Sequence, residues 1–120
     1  EDKRVYQHHG IDWVRVAGAF KGALGGRPTG ASTITMQLAG NLFPEDINRR
    51  QRTIGRKLRE MRVAQQIEAK FSKDKILEMY LNQIDLGNRA YGVEVASNRY
   101  FGKSSGELNL AEAATLAAIP

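Results

Sequence analysis

Glycine and proline cut this chain into short pieces, and their spacing limits what it can build. Gly25, Gly26, Pro28 and Gly30 form one break, Gly87 to Gly92 a second and Gly102 to Gly106 a third. Between the breaks, apolar residues return every three or four positions, the period of a helix face. Trp13, Ala17, Phe20 and Leu24 make one such stripe behind Asp12, which can cap the helix. We favour the core for that stripe, with a membrane surface or a flanking segment as the alternative. Ser32 or Thr33 can cap a helix carrying Ile34, Leu38 and Leu42, and Pro44 to Asn48 reads as a loop. A longer helix is predicted from about Thr53 to Lys70, and Ser72 caps the next, with Ile76, Leu77, Tyr80 and Leu81. A helix over Val93 to Phe101 follows. Asn109 with Glu112 three residues on then forms a capping box for the last one. No segment alternates as a strand does. The expected fold is mainly α, a helical domain with an irregular, loop-lined central cleft.

The chain of 120 residues suits one domain, and residues 1–120 read as the core of a domain truncated at both ends. With no cysteine there is no disulfide and no cysteine-ligated zinc. No run approaches the ~18 apolar residues of a membrane-crossing helix.

The charge is uneven. Of a net +5, the window from Arg49 to Arg62 holds seven basic side chains: Arg49, Arg50, Arg52, Arg56, Lys57, Arg59 and Arg62. Glu60 is its one acid. Such a window is either a solvated helix face or an anion site for phosphates. On the long helix Ile54, Leu58 and Met61 form one apolar stripe, and Val63, Ala64, Ile67 and Phe71 form a second, which predicts contacts on two sides. Glu60 falls in the second arc. A carboxylate there must be paired or functional, because an unpaired buried charge is costly. It is either an ion-pair partner of Arg56 or Lys57, or an acid beside a cationic pocket.

Two further segments are dense in chemistry. Glu1 to Gly10 contains adjacent carboxylates at Glu1 and Asp2 and adjacent imidazoles at His8 and His9. His8 and His9 point apart on regular backbone, so a structural His8–Asp2 hydrogen bond is favoured over a histidine metal site. Gly30 to Leu38 brings a glycine and hydroxyls to a helix start. Free N–H groups there suit an anion, and ordinary capping by Ser32 or Thr33 explains the same residues.

Together, in order, these blocks resemble the peptidoglycan glycosyltransferases of glycosyltransferase family 51, found in class A penicillin-binding proteins and monofunctional transglycosylases. Glu1-Asp2 with His8 and Gly10 is similar to the family's E-D-x-x-F-x-x-H-x-G, and Gly30 to Leu38 to its G-x-S-T-I-T-x-Q-L. Arg56 to Glu60 resembles R-K-x-x-E, Lys75 to Asn82 the fourth block, and Gly92 onward, with Tyr100 to Lys103, the fifth. The resemblance implies a lysozyme-like helical fold at the outer face of the bacterial cytoplasmic membrane. It implies lipid II and the nascent glycan strand as substrates, and undecaprenyl pyrophosphate as leaving group. By the resemblance Glu1 is the general base and Glu60 assists near the donor pyrophosphate. Ser32, Gln37, Asn41, Arg52, Arg56, Lys57, Arg59 and Tyr100 then line the substrate cleft. A divalent cation, Mg or Mn, is implied as a cofactor that neutralises pyrophosphate, with Glu1 as its protein ligand. A transpeptidase domain is an implied neighbour in a class A parent. Three positions depart from the pattern: Val5 replaces a phenylalanine, Met36 a glutamine and Gly40 a basic residue that would face phosphate.

Two other readings compete. A lytic, lysozyme-like enzyme shares the fold class and a catalytic glutamate but has no use for a pyrophosphate-sized cationic cluster. A nucleic-acid-binding module would use the basic window. That window holds no aromatic residue for stacking, so no nucleic-acid partner is expected.

Overall fold

The computed structural model describes residues 1–27, 30–45, 47 and 53–120. It is mainly α-helical, with six α-helices and no strand among the described residues. The chain divides into two compact units, Glu1–Leu77 and Glu78–Pro120.

The first unit begins with turns over the first ten residues and then α1 (Trp13–Leu24), α2 (Ile34–Leu42) and α3 (Ile54–Lys70). Each helix starts where a polar side chain accepts a backbone N–H that the helix cannot satisfy itself. Asp12 accepts from Arg15, Thr33 from Met36 and Thr53 from Arg56. α2 packs on α3. Ile34, Met36, Leu38 and Ala39 of α2 join Ile47 and, on α3, Ala64 and Ile67 in the buried core. α4 (Lys73–Gln83) opens in this unit, with Ser72 accepting the Lys75 N–H at 3.2 Å, and buries Ile76.

Two expectations about packing are overturned. α1 buries none of its residues. Trp13 is 61% and Phe20 68% exposed, and Leu24 is equally bare. Nothing among the described residues covers that stripe, so it is no part of the core they form. On α3 only the arc of Ala64 and Ile67 is packed, since Ile54 and Leu58 face out and Phe71 is exposed. Periodicity marks an apolar face but does not say what lies against it.

The second unit holds the end of α4, a turn, α5 (Val93–Phe101), a 3-10 turn (Ser105–Glu107) and α6 (Leu110–Ala117). The turn after α4 is drawn tight by Gly92 N–H to Ile84 O and Leu86 N–H to Ala90 O, each 2.8 Å. Gly92 is required there. Its φ is +85°, and a Cβ would sit 2.5 Å from Asn82 O. The expected capping box is present, with Asn109 accepting from Glu112 N–H at 2.9 Å and Glu112 accepting from Asn109 N–H at 3.0 Å. Glu94 ties α5 to the 3-10 turn. Its carboxylate accepts from the Ser105 hydroxyl and the Ser105 N–H, and these bonds hold it down at about 2.

Candidate functional site

Six of the site residues predicted in the first unit fall into two linked sets. Glu1 is exposed, and its Oε2 accepts from Gln37 Nε2 at 2.9 Å. Gln37 projects from the first turns of α2, so the Thr33 cap that starts that helix also aims the amide at Glu1. Ser32, just before the cap, accepts from Lys57 Nζ on α3. The same Nζ lies 3.4 Å from Glu60 Oε2, and Arg56 lies 4.0 Å from it. Gln37, Glu1, Ser32, Lys57, Glu60 and Arg56 therefore join the turn segment, α2 and α3.

The two glutamates have different surroundings. Glu60 is 4% exposed, as its place in the packed arc of α3 predicts. Both of its cationic neighbours are one helical turn away. Its Oε2 is buried and accepts no hydrogen bond among the described residues, so the ion pairs with Lys57 and Arg56 help to compensate its burial. Glu1 faces solvent in a cavity of about 440 Å³ that it lines with Lys3, Arg4, Asp12 and Arg15.

The turn that presents Glu1 is anchored from below. Asp2 is buried, and its Oδ2 is 2.7 Å from His8 Nε2 and accepts the Ile34 N–H at 3.2 Å. The Gly10 N–H donates to His8 Nδ1 at 3.1 Å, which makes Nδ1 the acceptor and Nε2 the protonated nitrogen that donates to Asp2. This is the structural His–Asp bond expected from the sequence. Thr33 Oγ1 donates to Gly10 O at 2.6 Å, closing the loop onto α2. At Gly10, with φ +91°, a Cβ would lie 3.0 Å from the Ala64 carbonyl group, so glycine is needed where the loop rests on α3. Below it, Glu68 pairs with Lys73 and accepts from Thr35 Oγ1 at 2.7 Å.

The remaining predicted positions are placed as follows. Asn41 is half-buried on α2 and Arg59 is exposed on α3. Gly40 is buried within α2. Arg52, like Arg49 and Arg50, lies outside the described residues. Tyr100 belongs to the second unit, where its hydroxyl donates to Leu86 O at 2.7 Å. Among the described residues no three His, Cys, Asp or Glu side chains gather as a metal site.

Sequence reasoning missed Arg15 and the Arg4–Asp12 pair. The Arg4 guanidinium donates through two nitrogens to both Asp12 oxygens. Arg15 donates to three backbone carbonyls: Glu1 O at 2.9 Å, Ser32 O at 3.2 Å and Gly30 O at 3.2 Å. No side-chain pattern in the sequence signals a partner that is a backbone carbonyl.

A family model described as Transglycosylase matches residues 1–120, the whole chain. The chain belongs to the transglycosylase family. Among curated relatives this transglycosylase is 49% identical over 122 residues to penicillin-binding protein 1A of Haemophilus influenzae. It is 48% identical over 122 residues to penicillin-binding protein 1F of Bacillus subtilis and 49% over 124 residues to penicillin-binding protein 1A of Escherichia coli K12. All of the chain is covered in each case. It spans 14% of the Haemophilus and Escherichia proteins and 16% of the Bacillus protein. The five ordered blocks read from the sequence thus identify the family correctly.

Proposed function

We propose that the chain is the core of a peptidoglycan glycosyltransferase that polymerises lipid II into β-1,4-linked glycan at the outer face of the cytoplasmic membrane. The observation that carries this reading is that Arg15 bridges the main chains of Glu1 and Ser32 while Lys57 lies between the Ser32 hydroxyl and Glu60, in a member of the transglycosylase family. One carboxylate is open to solvent while the other is buried beside cations. Carboxylates in such different surroundings suit different roles.

Glu1 takes the proton of the acceptor sugar's 4-hydroxyl as that oxygen attacks the anomeric carbon of the lipid-linked donor. The bond from that carbon to pyrophosphate breaks on the opposite face, configuration inverts, and undecaprenyl pyrophosphate leaves with the electron pair. Arg56 and Lys57 stabilise the charge gained by the leaving group, and Glu60 holds those cations in place. Arg59 and Asn41 add substrate contacts in the first unit, and the family resemblance gives Arg52 and Tyr100 a substrate-binding role as well. No three metal-ligating side chains gather at Glu1 among the described residues, and magnesium commonly takes one or two carboxylates plus substrate phosphates. A divalent cation at Glu1 would be held largely by the pyrophosphate and would neutralise it.

No described helix is long and apolar enough to cross a membrane. The exposed face of α1 instead rests on the bilayer that carries the lipid tails. The relatives are longer penicillin-binding proteins, so a transpeptidase domain is a fitting neighbour.

The test is to give the full-length protein lipid II and magnesium and to separate the products. Glycan polymer is expected, with a ~100- to 10,000-fold lower rate for a folded Glu1→Gln protein. Release of soluble muropeptides from preformed glycan, with no polymer made, would favour the lytic reading.

A further inference from the structure

We infer that Arg15 is a positioning residue for the glycosyl transfer proposed above, setting the place of Glu1 against Ser32. The inference rests on that reading for its catalytic consequence and on geometry for the rest. Arg15 stands on α1, a helix with no buried residue, and in none of the five sequence blocks. A half-buried surface arginine of this kind usually points to solvent. Here one guanidinium nitrogen donates to Glu1 O at 2.9 Å and to Ser32 O at 3.2 Å, and the other terminal nitrogen donates to Gly30 O at 3.2 Å. Two of these carbonyls belong to site residues.

The consequence for Glu1 is specific. Its side chain is held by Gln37 and its main chain by Arg15. Gln37 stands on α2, and Arg15 grips the loop that enters α2. Both constraints therefore refer Glu1 to the same element. Ser32 is held likewise, by Arg15 at its carbonyl and by Lys57 at its hydroxyl. A displacement near 1 Å at a reacting group can cost ~100-fold in rate. Arginine suits the task because its planar fork offers several donors in fixed directions. Lysine keeps the charge but places all its donors on one nitrogen, so it cannot span the three carbonyls.

The experiment uses the full-length protein with Arg15→Lys and Arg15→Ala. Both are good helix formers on an uncovered helix, so α1 is retained. With lipid II, kcat should fall ~10- to 100-fold in both variants while KM stays within about threefold, because positioning of the base acts after the donor is bound. Added guanidinium at non-denaturing concentration should restore much of kcat to Arg15→Ala and none to Arg15→Lys. Hydrogen exchange gives a readout that needs no activity: residues 1–5 and 30–33 should exchange faster in Arg15→Lys than in the parent, with α3 unchanged. A parent kcat in Arg15→Lys, a loss confined to KM, or no rescue of Arg15→Ala would overturn the inference. Unchanged exchange at residues 1–5 and 30–33 would overturn it too, even if the parent made no polymer. A parent that makes no polymer while the exchange difference persists would sink the proposed function and leave the positioning geometry standing.

Discussion

α1 and α2 carry apolar side chains at the same helical period and meet opposite fates. α2 spans nine residues and buries six of them, with Leu38 fully enclosed. α1 spans twelve and buries none. Both are capped at the N-terminus, so local signals do not separate them. What separates them is partners: α2 lies on α3 and beneath the Gly10 loop, whereas the stripe of Trp13, Phe20 and Leu24 has no cover among the described residues. One helix supplies the core that fixes Gln37, and the other offers a bare surface. Arg15 reaches from α1 to the loop that enters α2.

The contrast is sharpest in stability. Leu38→Ala should cost roughly 2–5 kcal/mol, the usual range for a leucine deleted from a packed core. Phe20→Ala on α1 should change stability by under ~0.5 kcal/mol, since no packing is lost. Urea melts of the two variants check this directly. Equal losses would mean that α1 is covered in solution and that the comparison fails.

The cover over α2 can be attacked next. Gly10→Ala places a Cβ against the Ala64 carbonyl at a φ that L residues rarely adopt, and should cost about 1–3 kcal/mol. Thr33→Ala removes both the cap of α2 and the 2.6 Å bond to Gly10 O, and should cost about 1–2 kcal/mol. If the loop carries Glu1 into place, both variants should also lose polymerisation rate at temperatures where they remain folded. Activity that tracked only the folded fraction would break the link between this loop and Glu1.

The bare face of α1 makes a complementary prediction. Trp13→Ser with Phe20→Ser should leave the melting point within ~2 °C while weakening binding to lipid vesicles, because the exposed apolar area is removed and the core is untouched. Unchanged vesicle binding would mean that the stripe faces something other than a bilayer.

The sequence made the helices legible because caps and breakers are local. Asp12, Thr33, Thr53, Ser72 and the Asn109–Glu112 box begin the helices where the pattern predicts. It made the family legible through ordered motifs, and the Asp2–His8 bond through the geometry of adjacent imidazoles. Burial was legible for Ile34 and Leu38 on α2, for Ala64 and Ile67 on α3 and for Ile76 and Tyr80 on α4, and for Glu60, where charge and period combined. The stripe on α1 and the stripe through Ile54 and Leu58 were misread, because an apolar face is the same in sequence whether it meets a core or a surface. Arg15 was invisible for another reason: its partners are main-chain oxygens brought close only by the fold.

The smallest expected effect distinguishes the two helix caps by chemistry. Thr33 caps α2 with a hydroxyl, which does not titrate, while Asp12 caps α1 with a carboxylate. Burial raises the Asp12 value, but the Arg4 guanidinium and the Arg15 N–H more than offset it, so its carboxyl lies below the usual range. A lowered value in the folded protein means that the charged form is favoured by folding. Its contribution is therefore complete above the ordinary carboxylate range and fades as pH falls through the depressed value. The gap in urea midpoint between the parent and Asp12→Asn should hold at neutral pH and narrow on going to about pH 2.5. The gap between the parent and Thr33→Ala should not change over the same span. Other carboxylates titrate in parent and variants alike, so these differences isolate the two caps. A Thr33 gap that closed in parallel with the Asp12 gap would show that acid loosens the whole unit, and the caps would then be equivalent in their response to pH.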